Sequence, residues 1–425
     1  MAIIDILLDI LGTASILVGF MVLVGLLLQR RKASEVISGT LKAIIGFLIF
    51  GAGGGLAAGA LGSFQGWFFD GFGLQGVLPL AEAVTALAQE RFGTVISLIM
   101  VLGFVVNLLV ARVTRFKFIF LTGQHNLFLA ALLTCALKAL GLGNPATIAI
   151  GSVLLGVCAA VYPAIAQRWM RKVTGNDDIA MGHYCTLTYA LSGWLGSKVG
   201  KPEDSTEKLR LPGWLSIFKD YVISISVSVG IVFFIAAIVA GPGSVAETAG
   251  GINWLIFPFL QALTFAGGVY IILIGVRMML NELVPAFVGI SEKLIPNAKP
   301  ALDCPVVFQY APAATVIGFI SAYIGGLLCM VIFGLLNMPV IIPVAIPYFF
   351  IGATAGVFGN ATGGWKGAIA GGFITGIIIA VGPALIYPIM SSIGLPGSSF
   401  PEPDFVLIGM LIYYVGKMFG ISGTV

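Results

Sequence analysis

Charged residues are scarce in this sequence of 425 residues. Lysine, arginine, aspartate and glutamate make up only 9% of it, whereas about 25% is usual in a water-soluble domain. So few charges cannot cover the surface of a soluble protein, which excludes a chain built mainly of soluble domains. There are only two histidines and five cysteines, with no CxxC spacing. We therefore expect no metal site, no cofactor and no disulfide framework.

Motifs for phosphate chemistry and for ion conduction are also missing. The sequence has no GxxxxGK[ST] phosphate loop, which excludes ATP hydrolysis by this chain itself. It has neither the arginine-rich helix of a voltage sensor nor the TVGYG filter of a potassium channel. The net charge of +4 does not indicate nucleic-acid binding, because the basic residues follow a membrane topology rule.

The chain is rich in apolar sequence instead. Hydrophobic residues make up 59% of it, and its mean hydropathy is +1.06. Apolar stretches of about 20 residues recur throughout, each long enough to cross a hydrocarbon layer of roughly 30 Å. They predict an all-α integral membrane protein with about eleven transmembrane helices. The predicted spans are 3–28, 42–61, 93–112, 118–140, 146–166, 216–240, 253–279, 312–336, 339–359, 367–390 and 403–420.

The basic residues predict the orientation of these spans. If the amino terminus is outside, all of the 22 basic residues except Arg91 and Lys138 fall on one side. The positive-inside rule then places the carboxyl terminus in the cytoplasm. The longest polar interruption, about 198–210, is too short to fold alone. We therefore expect residues 1–425 to form one transmembrane domain without a fused soluble domain, and the first span to be permanent rather than a cleaved signal.

Three stretches differ from plain spans. Residues 39–64 are dense in glycine and precede an expected aromatic external loop, residues 176–194 are only moderately apolar, and residues 281–312 are rich in proline. Backbone that breaks at membrane depth is tolerated only inside protein or beside a water-filled cavity. We therefore predict re-entrant hairpins that meet at a binding site. A weak similarity between the two halves of the chain also indicates inverted repeats.

Polar side chains inside apolar sequence are the candidates for this site. A charged group at membrane depth costs a few kcal/mol, so it usually faces a functional site. Amide, imidazole, phenol and carboxylate groups donate or accept hydrogen bonds, which suits a hydroxyl-rich solute. The candidates are Gln124, His125 and Asn126 in one apolar span, His183 and Tyr184 in the second broken stretch, Asp303 in the third, and Glu82 at the start of an apolar stretch on the external side.

Each candidate also has a purely structural interpretation. His125 and His183 could be buried residues that satisfy helix packing. Asp303 could cap the helix expected to begin near residue 305. Glu82 could lie in the water of the lipid headgroups.

Several motifs, in order along nearly the whole chain, resemble one known family. They are Leu121-Thr122-Gly123, residues 211–220 (LPGWLSIFKD), 275–278 (GVRM), 289–296 (GISEKLIP), Asp303-Cys304, 311–314 (APAA) and 356–360 (GVFGN). The chain is similar to the ascorbate-type membrane component, enzyme IIC, of the bacterial phosphoenolpyruvate-dependent phosphotransferase system. The resemblance implies a homodimer in the bacterial cytoplasmic (inner) membrane, in which a mobile core moves against a scaffold as an elevator.

The resemblance also implies partners and site residues. A cytosolic enzyme IIB, phosphorylated on a cysteine and supplied by enzyme IIA, would phosphorylate the bound sugar, because enzyme IIC has no phosphoryl site itself. Asp303 and His183 would orient the reacting hydroxyl. The implied substrate site comprises Gln124, His125, Asn126, Phe128, His183, Tyr184, Asp303, Glu82 and Gly54.

Four positions differ from the family's pattern for ascorbate. Gln124 replaces a histidine, Phe128 a glutamine, Tyr184 a glutamine and Glu82 a tyrosine. A site built around one hydroxyl pattern rejects analogues strongly. The expected solute is therefore a small sugar acid or polyol, with L-ascorbate as one candidate. A proton-coupled secondary carrier using Glu82 or Asp303 is the main alternative, and a passive channel, which the proline-broken stretches disfavour, is a third.

Overall fold

The computed structural model describes residues 14–209, 221–295 and 297–421. This part of the chain is mostly helical, as predicted. Seven of its helices are long and apolar enough to cross a membrane, by length and composition. Residues 3–13 of the first predicted span, the start of the span predicted at 216–240, and the 211–220 motif lie outside the described residues.

Strands of two to four residues lie between some of the helices. The strands, which the all-α prediction did not include, are β1 (Gly76–Pro79), β2 (Phe118–Phe120), β3 (Ala180–Met181), β4 (Lys299–Leu302), β5 (Val340–Ile341) and β6 (Ser398–Ser399). The helices are α1 (Ala14–Leu28), α2 (Ala33–Phe72), α3 (Ala81–Val113), α4 (Gly123–Ala139), α5 (Asn144–Thr174), α6 (Thr186–Val199), α7 (Tyr221–Thr248), α8 (Phe257–Leu294), α9 (Pro305–Phe308), α10 (Pro312–Leu335), α11 (Ala345–Pro347), α12 (Ala353–Ser392) and α13 (Pro403–Met418). A π-helical turn at Tyr348–Gly352 joins α11 to α12.

Helix α2 runs without interruption through the glycine-dense stretch 39–64. The predicted break and the aromatic loop after it are therefore wrong. The glycines allow close packing against α8 instead: a Cβ on Gly53 would lie 2.6 Å from the backbone nitrogen of Ile272 and 2.7 Å from the oxygen of Gly268. Such small-residue contacts are a common way for membrane helices to approach each other. Trp67, expected in the loop, is buried in the helix.

Helix α12 folds back on itself at Gly364. This residue has φ 59° and ψ −150°, a conformation that favours glycine. Eight residues of straight helix span about 12 Å, yet a Cβ on Gly359 would lie 2.1 Å from the oxygen of Gly367. The two arms of α12 therefore pack side by side, and the turn falls between the spans predicted at 339–359 and 367–390. In α3, the non-helical residue Phe92 immediately precedes the span predicted at 93–112.

The proline-rich stretch 281–312 is broken later than predicted. Helix α8 continues past Pro285 to Leu294, so proline does not interrupt the helix at that point. The chain then forms β4 and the short helix α9 before α10 begins at Pro312. The break is therefore confined to the residues between α8 and α10, and Asp303 lies within it.

The six strands form two three-stranded sheets, each parallel throughout. One sheet has the order β5-β1-β6 and the other has the order β2-β4-β3. Because the strands of each sheet run in the same direction, their carboxyl ends lie at one edge. A helix or helical turn begins within a few residues of every one of these ends. The sheets therefore bring six chain segments, distant in sequence, to two edges.

An ionic cluster lies at the amino end of β4, in the sheet β2-β4-β3. Asp177 accepts hydrogen bonds from Arg171 Nε at 2.8 Å and Gln167 Nε2 at 2.7 Å, and it also contacts Lys299 at the start of β4. The hydrogen bond from Arg171, followed by those from Lys299 and Gln167, holds the pKa of Asp177 well below its usual range. Asp177 thus connects the end of α5 to the strand that precedes Asp303.

Candidate functional site

A cavity of about 170 Å³ lies at the carboxyl edges of both sheets. A single water needs a space of at least about 10–15 Å³ and takes up about 30 Å³ in the liquid, so the cavity has room for several waters or for a small solute. Every one of the six strands is followed by at least one lining residue. The lining residues are Glu82, Gln124, His125, Phe128, His183, Arg277, Asp303, Cys304, Pro305, Ile346, Pro347, Phe350, Ile351, Pro401 and Glu402.

Asp303 lies at the centre of one cavity wall, which is formed by the residues at the carboxyl edge of the sheet β2-β4-β3. Its Oδ2 accepts a hydrogen bond from Gln124 Nε2 at 2.7 Å, and its Oδ1 accepts one from the backbone N–H of Cys304, also at 2.7 Å. His125 Nε2 lies 3.7 Å from Oδ1. The side chain of Asp303 stays 29% exposed, so its remaining lone pairs can accept a solute hydroxyl. Asp303 does not cap the N–H groups inside α9, since its bond goes to its neighbour Cys304.

The two histidines lie side by side next to this carboxylate. The ring centroids of His125 and His183 are 4.0 Å apart, and both rings are buried. Tyr189 contacts Nδ1 of His183 through its hydroxyl at 2.9 Å. Because Nδ1 is occupied, the ring orientation is fixed and Nε2 is left for other partners. His125 Nδ1 has no partner among the described residues.

The opposite cavity wall is formed by residues at the carboxyl edge of the sheet β5-β1-β6, and it carries two carboxylates. Glu82 is 9% exposed and Glu402 is 4% exposed, so Glu82 is buried in protein rather than displayed at the surface. Glu402 Oε2 has no hydrogen-bond partner in the described part of the chain. Glu402 was not among the site residues predicted from the sequence. A signal was present, because this carboxylate lies between Pro401 and Pro403, immediately before an apolar segment.

Asn126 and Tyr184 lie behind the cavity wall. Tyr184 donates a hydrogen bond to Asn126 Oδ1 at 3.1 Å, and Asn126 Nδ2 donates to the backbone oxygen of Phe120 at 3.3 Å. The ring of Tyr184 stacks on Phe120 with centroids 4.4 Å apart. Neither residue lines the cavity in this structure. They instead hold β2 and the start of α4 in place, and their direct contact with a solute stays a prediction.

Phe128 and Gly54, also predicted site residues, differ in position. Phe128 lines the cavity one turn after Gln124 and packs edge-on against His125, with centroids 5.6 Å apart. Gly54 packs against α3, where its Cβ would lie 2.6 Å from that of Ala86. Gly54 is therefore a helix-packing residue here, and its predicted contact with substrate is untested.

Asp404 positions the backbone next to His183. It is completely buried and accepts hydrogen bonds from the Thr186 backbone N–H and hydroxyl, both at 2.8 Å, and from the Leu187 N–H at 3.3 Å. These bonds satisfy the first N–H groups of α6, which have no partner within the helix. The carboxylate also complements the positive end of the helix dipole. Asp404 therefore anchors the helix that begins just after His183.

One group of side chains has the composition of a cation site. Ligand atoms of His125, His183 and Asp303 all lie within 4.8 Å of one another. Two imidazoles and a carboxylate could bind a transition metal. The same groups can also bind hydroxyls directly, and the prediction of no metal site stays untested.

Comparison with known proteins identifies the family. The family model EIIC-GAT, described as the sugar-specific permease component of the phosphotransferase system (PTS), matches residues 9–421. The chain belongs to this family. Membership confirms the resemblance to enzyme IIC and, with several apolar helices, makes the chain a multi-pass membrane protein.

One curated relative in the EIIC-GAT family gives a more specific comparison. A protein of Mycoplasma pneumoniae named "Ascorbate-specific PTS system EIIC component" is 30% identical, with 76% of this chain and 56% of the relative covered. This chain therefore spans little more than half the length of that relative.

Proposed function

We propose that this chain binds a small sugar acid or polyol in the cavity and carries it across the membrane, where a separate phosphorylated enzyme IIB phosphorylates it. The observation that carries the proposal is the convergence of Gln124, His125, His183 and Asp303 on one cavity. Their amide, imidazole and carboxylate groups place hydrogen-bond donors and acceptors within a few ångströms of one another. Such an arrangement matches the hydroxyls of a sugar.

Asp303 and His183 orient the hydroxyl that reacts. The carboxylate of Asp303 accepts that hydroxyl's proton, which increases the nucleophilicity of its oxygen. The oxygen forms the new O–P bond as the S–P bond of the phosphocysteine on enzyme IIB breaks, and the cysteine leaves as a thiolate. Gln124 and His125 fix the rest of the solute, as orientation requires. This chain supplies the bound acceptor, and enzyme IIB, recharged by enzyme IIA, supplies the phosphoryl group.

The wider architecture proposed is an eleven-span homodimer in the bacterial cytoplasmic membrane, with the amino terminus outside. The fold-back of α12 at Gly364 and the break of α3 at Phe92 support more crossings than the seven long helices alone. The two parallel three-stranded sheets on either side of the cavity support inverted repeats. Helix α2 packs mainly on α8, and α12 packs mainly on α10 and α6. We assign these two groups to scaffold and mobile core, respectively, in an elevator.

Uptake by an Asp303→Asn variant tests the proposal. In cells that contain enzymes IIA and IIB, we expect uptake and phosphorylation of the solute to fall at least a hundredfold, because the amide cannot accept the proton. The variant should still insert into the membrane and elute like the wild type. Asp178→Asn, which removes an exposed loop carboxylate, is the control and should transport normally. Full uptake by Asp303→Asn would refute the role assigned to Asp303.

A proton-coupled carrier is the second candidate, favoured by Glu82 and Glu402 on the opposite wall. Buried carboxylates inside membrane proteins commonly serve as proton relays. In proteoliposomes without enzyme IIB, a proton gradient should then drive accumulation of unmodified solute. Failure of the gradient to drive accumulation, with phosphorylation intact in cells, would reject this candidate.

A further inference from the structure

We infer that the cavity selects an uncharged polyol over a sugar acid, with Glu82 and Glu402 as the residues that discriminate between them. This inference rests on the proposed function, and it narrows the solute class. Glu82 and Glu402 come from equivalent positions on neighbouring strands. Pro79 of β1 pairs with Ser399 of β6, and each glutamate lies three residues beyond its paired residue. The pairing thus brings both carboxylates to the same wall.

Glu402 shows that this wall is built for a hydrogen-bonding solute. The residue is 4% exposed, it lines the cavity, and its Oε2 has no partner among the residues that the structure describes. A buried polar atom without a partner is costly, and such atoms in native proteins call for a specific explanation. A solute hydroxyl in the cavity would supply the missing hydrogen bond.

The charges that line the cavity are unfavourable for an anion. Asp303 on one wall faces Glu82 and Glu402 on the other. In the described lining, the only lysine or arginine is Arg277, so one cationic side chain is outnumbered by three carboxylates. An ionised glutamate repels a solute carboxylate, and the repulsion is stronger in a partly desolvated cavity than in water. A protonated glutamate is neutral and provides no counter-charge. A hydroxyl, in contrast, can donate to an ionised carboxylate and can accept from a protonated one.

Matched pairs of solutes test this inference without any mutation. The probes are the hexitols sorbitol, galactitol and mannitol, each paired with the aldonate that carries a carboxylate in place of one terminal CH2OH group, together with L-ascorbate. Isothermal titration calorimetry on the purified full chain in nanodiscs gives each dissociation constant. We expect the best hexitol to bind at least tenfold more tightly than its aldonate and than L-ascorbate.

Variants then assign the selectivity to the two glutamates. In the double variant Glu82→Gln, Glu402→Gln, the ratio of aldonate to hexitol affinity should rise at least tenfold, because the repulsion is gone. Glu90→Gln removes the same charge from an exposed position on the same helix, and it should leave the ratio unchanged. Each single variant, measured separately, keeps the test valid if the double variant does not fold.

The outcomes separate this inference from the proposed function. Tighter binding of an aldonate or of L-ascorbate than of every hexitol would overturn the inference, while the proposed function would stand. An unchanged affinity ratio in the glutamate variants would also overturn it. If none of these solutes bound, the proposed function would fail, and the inference with it.

Discussion

Tyr189 is predicted to control substrate affinity without touching the substrate. Its side chain is completely buried, and its hydroxyl lies 2.9 Å from Nδ1 of His183. Tyr189→Phe removes one oxygen and leaves this buried nitrogen without its partner. Loss of a partner by a buried polar group costs roughly 1–3 kcal/mol. If that cost falls on the orientation of His183, affinity for the solute should drop about 5-fold to 150-fold, since 1.4 kcal/mol is a factor of about ten.

The two histidines make this prediction directly measurable by spectroscopy. Because the chain contains only His125 and His183, nitrogen-15 labelling of histidine gives signals from just four ring nitrogens. In the wild type, the His183 signals should report one fixed tautomer with Nδ1 hydrogen-bonded. In Tyr189→Phe those signals should shift or broaden, whereas those of His125 should change less.

A matched control distinguishes a changed orientation of His183 from a general loss of packing around a buried tyrosine. Tyr162→Phe also removes a hydroxyl from a buried tyrosine, but from one that packs edge-on against Tyr184 rather than bonding to His183. It should leave both the histidine signals and the affinity nearly unchanged. Wild-type affinity and unchanged His183 signals in Tyr189→Phe would refute the positioning role.

Two further predictions concern the fold that supports the site. Gly53→Ala should destabilise the protein by roughly 1–3 kcal/mol through overpacking, because its Cβ would lie 2.6 Å from a backbone atom of α8. Gly59→Ala is the control, since a Cβ there meets nothing within 4 Å. Equal melting temperatures of the two variants would contradict this packing. Asp404→Asn should cost a similar roughly 1–3 kcal/mol, because one amide oxygen replaces two that accept three bonds from Thr186 and Leu187. Chemical denaturation in detergent measures this loss, and an unchanged midpoint would show that α6 does not depend on the cap.

The predicted site residues came from a local signal that the structure largely retains. Polar groups inside apolar sequence are costly in a membrane protein unless they share a site, and Gln124, His125, His183 and Asp303 do line one cavity. Glu402 was missed although it precedes an apolar segment, as Glu82 does, because a glutamate between two prolines is also typical of an exposed loop. The pairing of β6 with β1 brings it to the same wall as Glu82, and the cavity separates both from Asp303.

The errors in the fold prediction arise from contacts that sequence does not reveal. The glycines of α2 resemble a helix break, yet here they pack against the backbone of α8, and the helix continues. Strands of two to four residues have too little periodicity to be recognised, since their stability depends on partners more than a hundred residues away, as with Leu78 and Ser398. Gly364 is one glycine among 57, so its role as a turn was not apparent, although both arms of α12 were predicted as spans.

We propose that the solute binds between the Asp303 wall and the Glu82–Glu402 wall. A cryo-electron microscopy map of the full chain in nanodiscs, with the tightest-binding probe present, tests it most directly. We expect solute density within hydrogen-bonding distance of Gln124, Asp303 and His183, with Glu402 contacting the opposite side of the solute. Density at another place in the protein, with this cavity filled only by water, would contradict it.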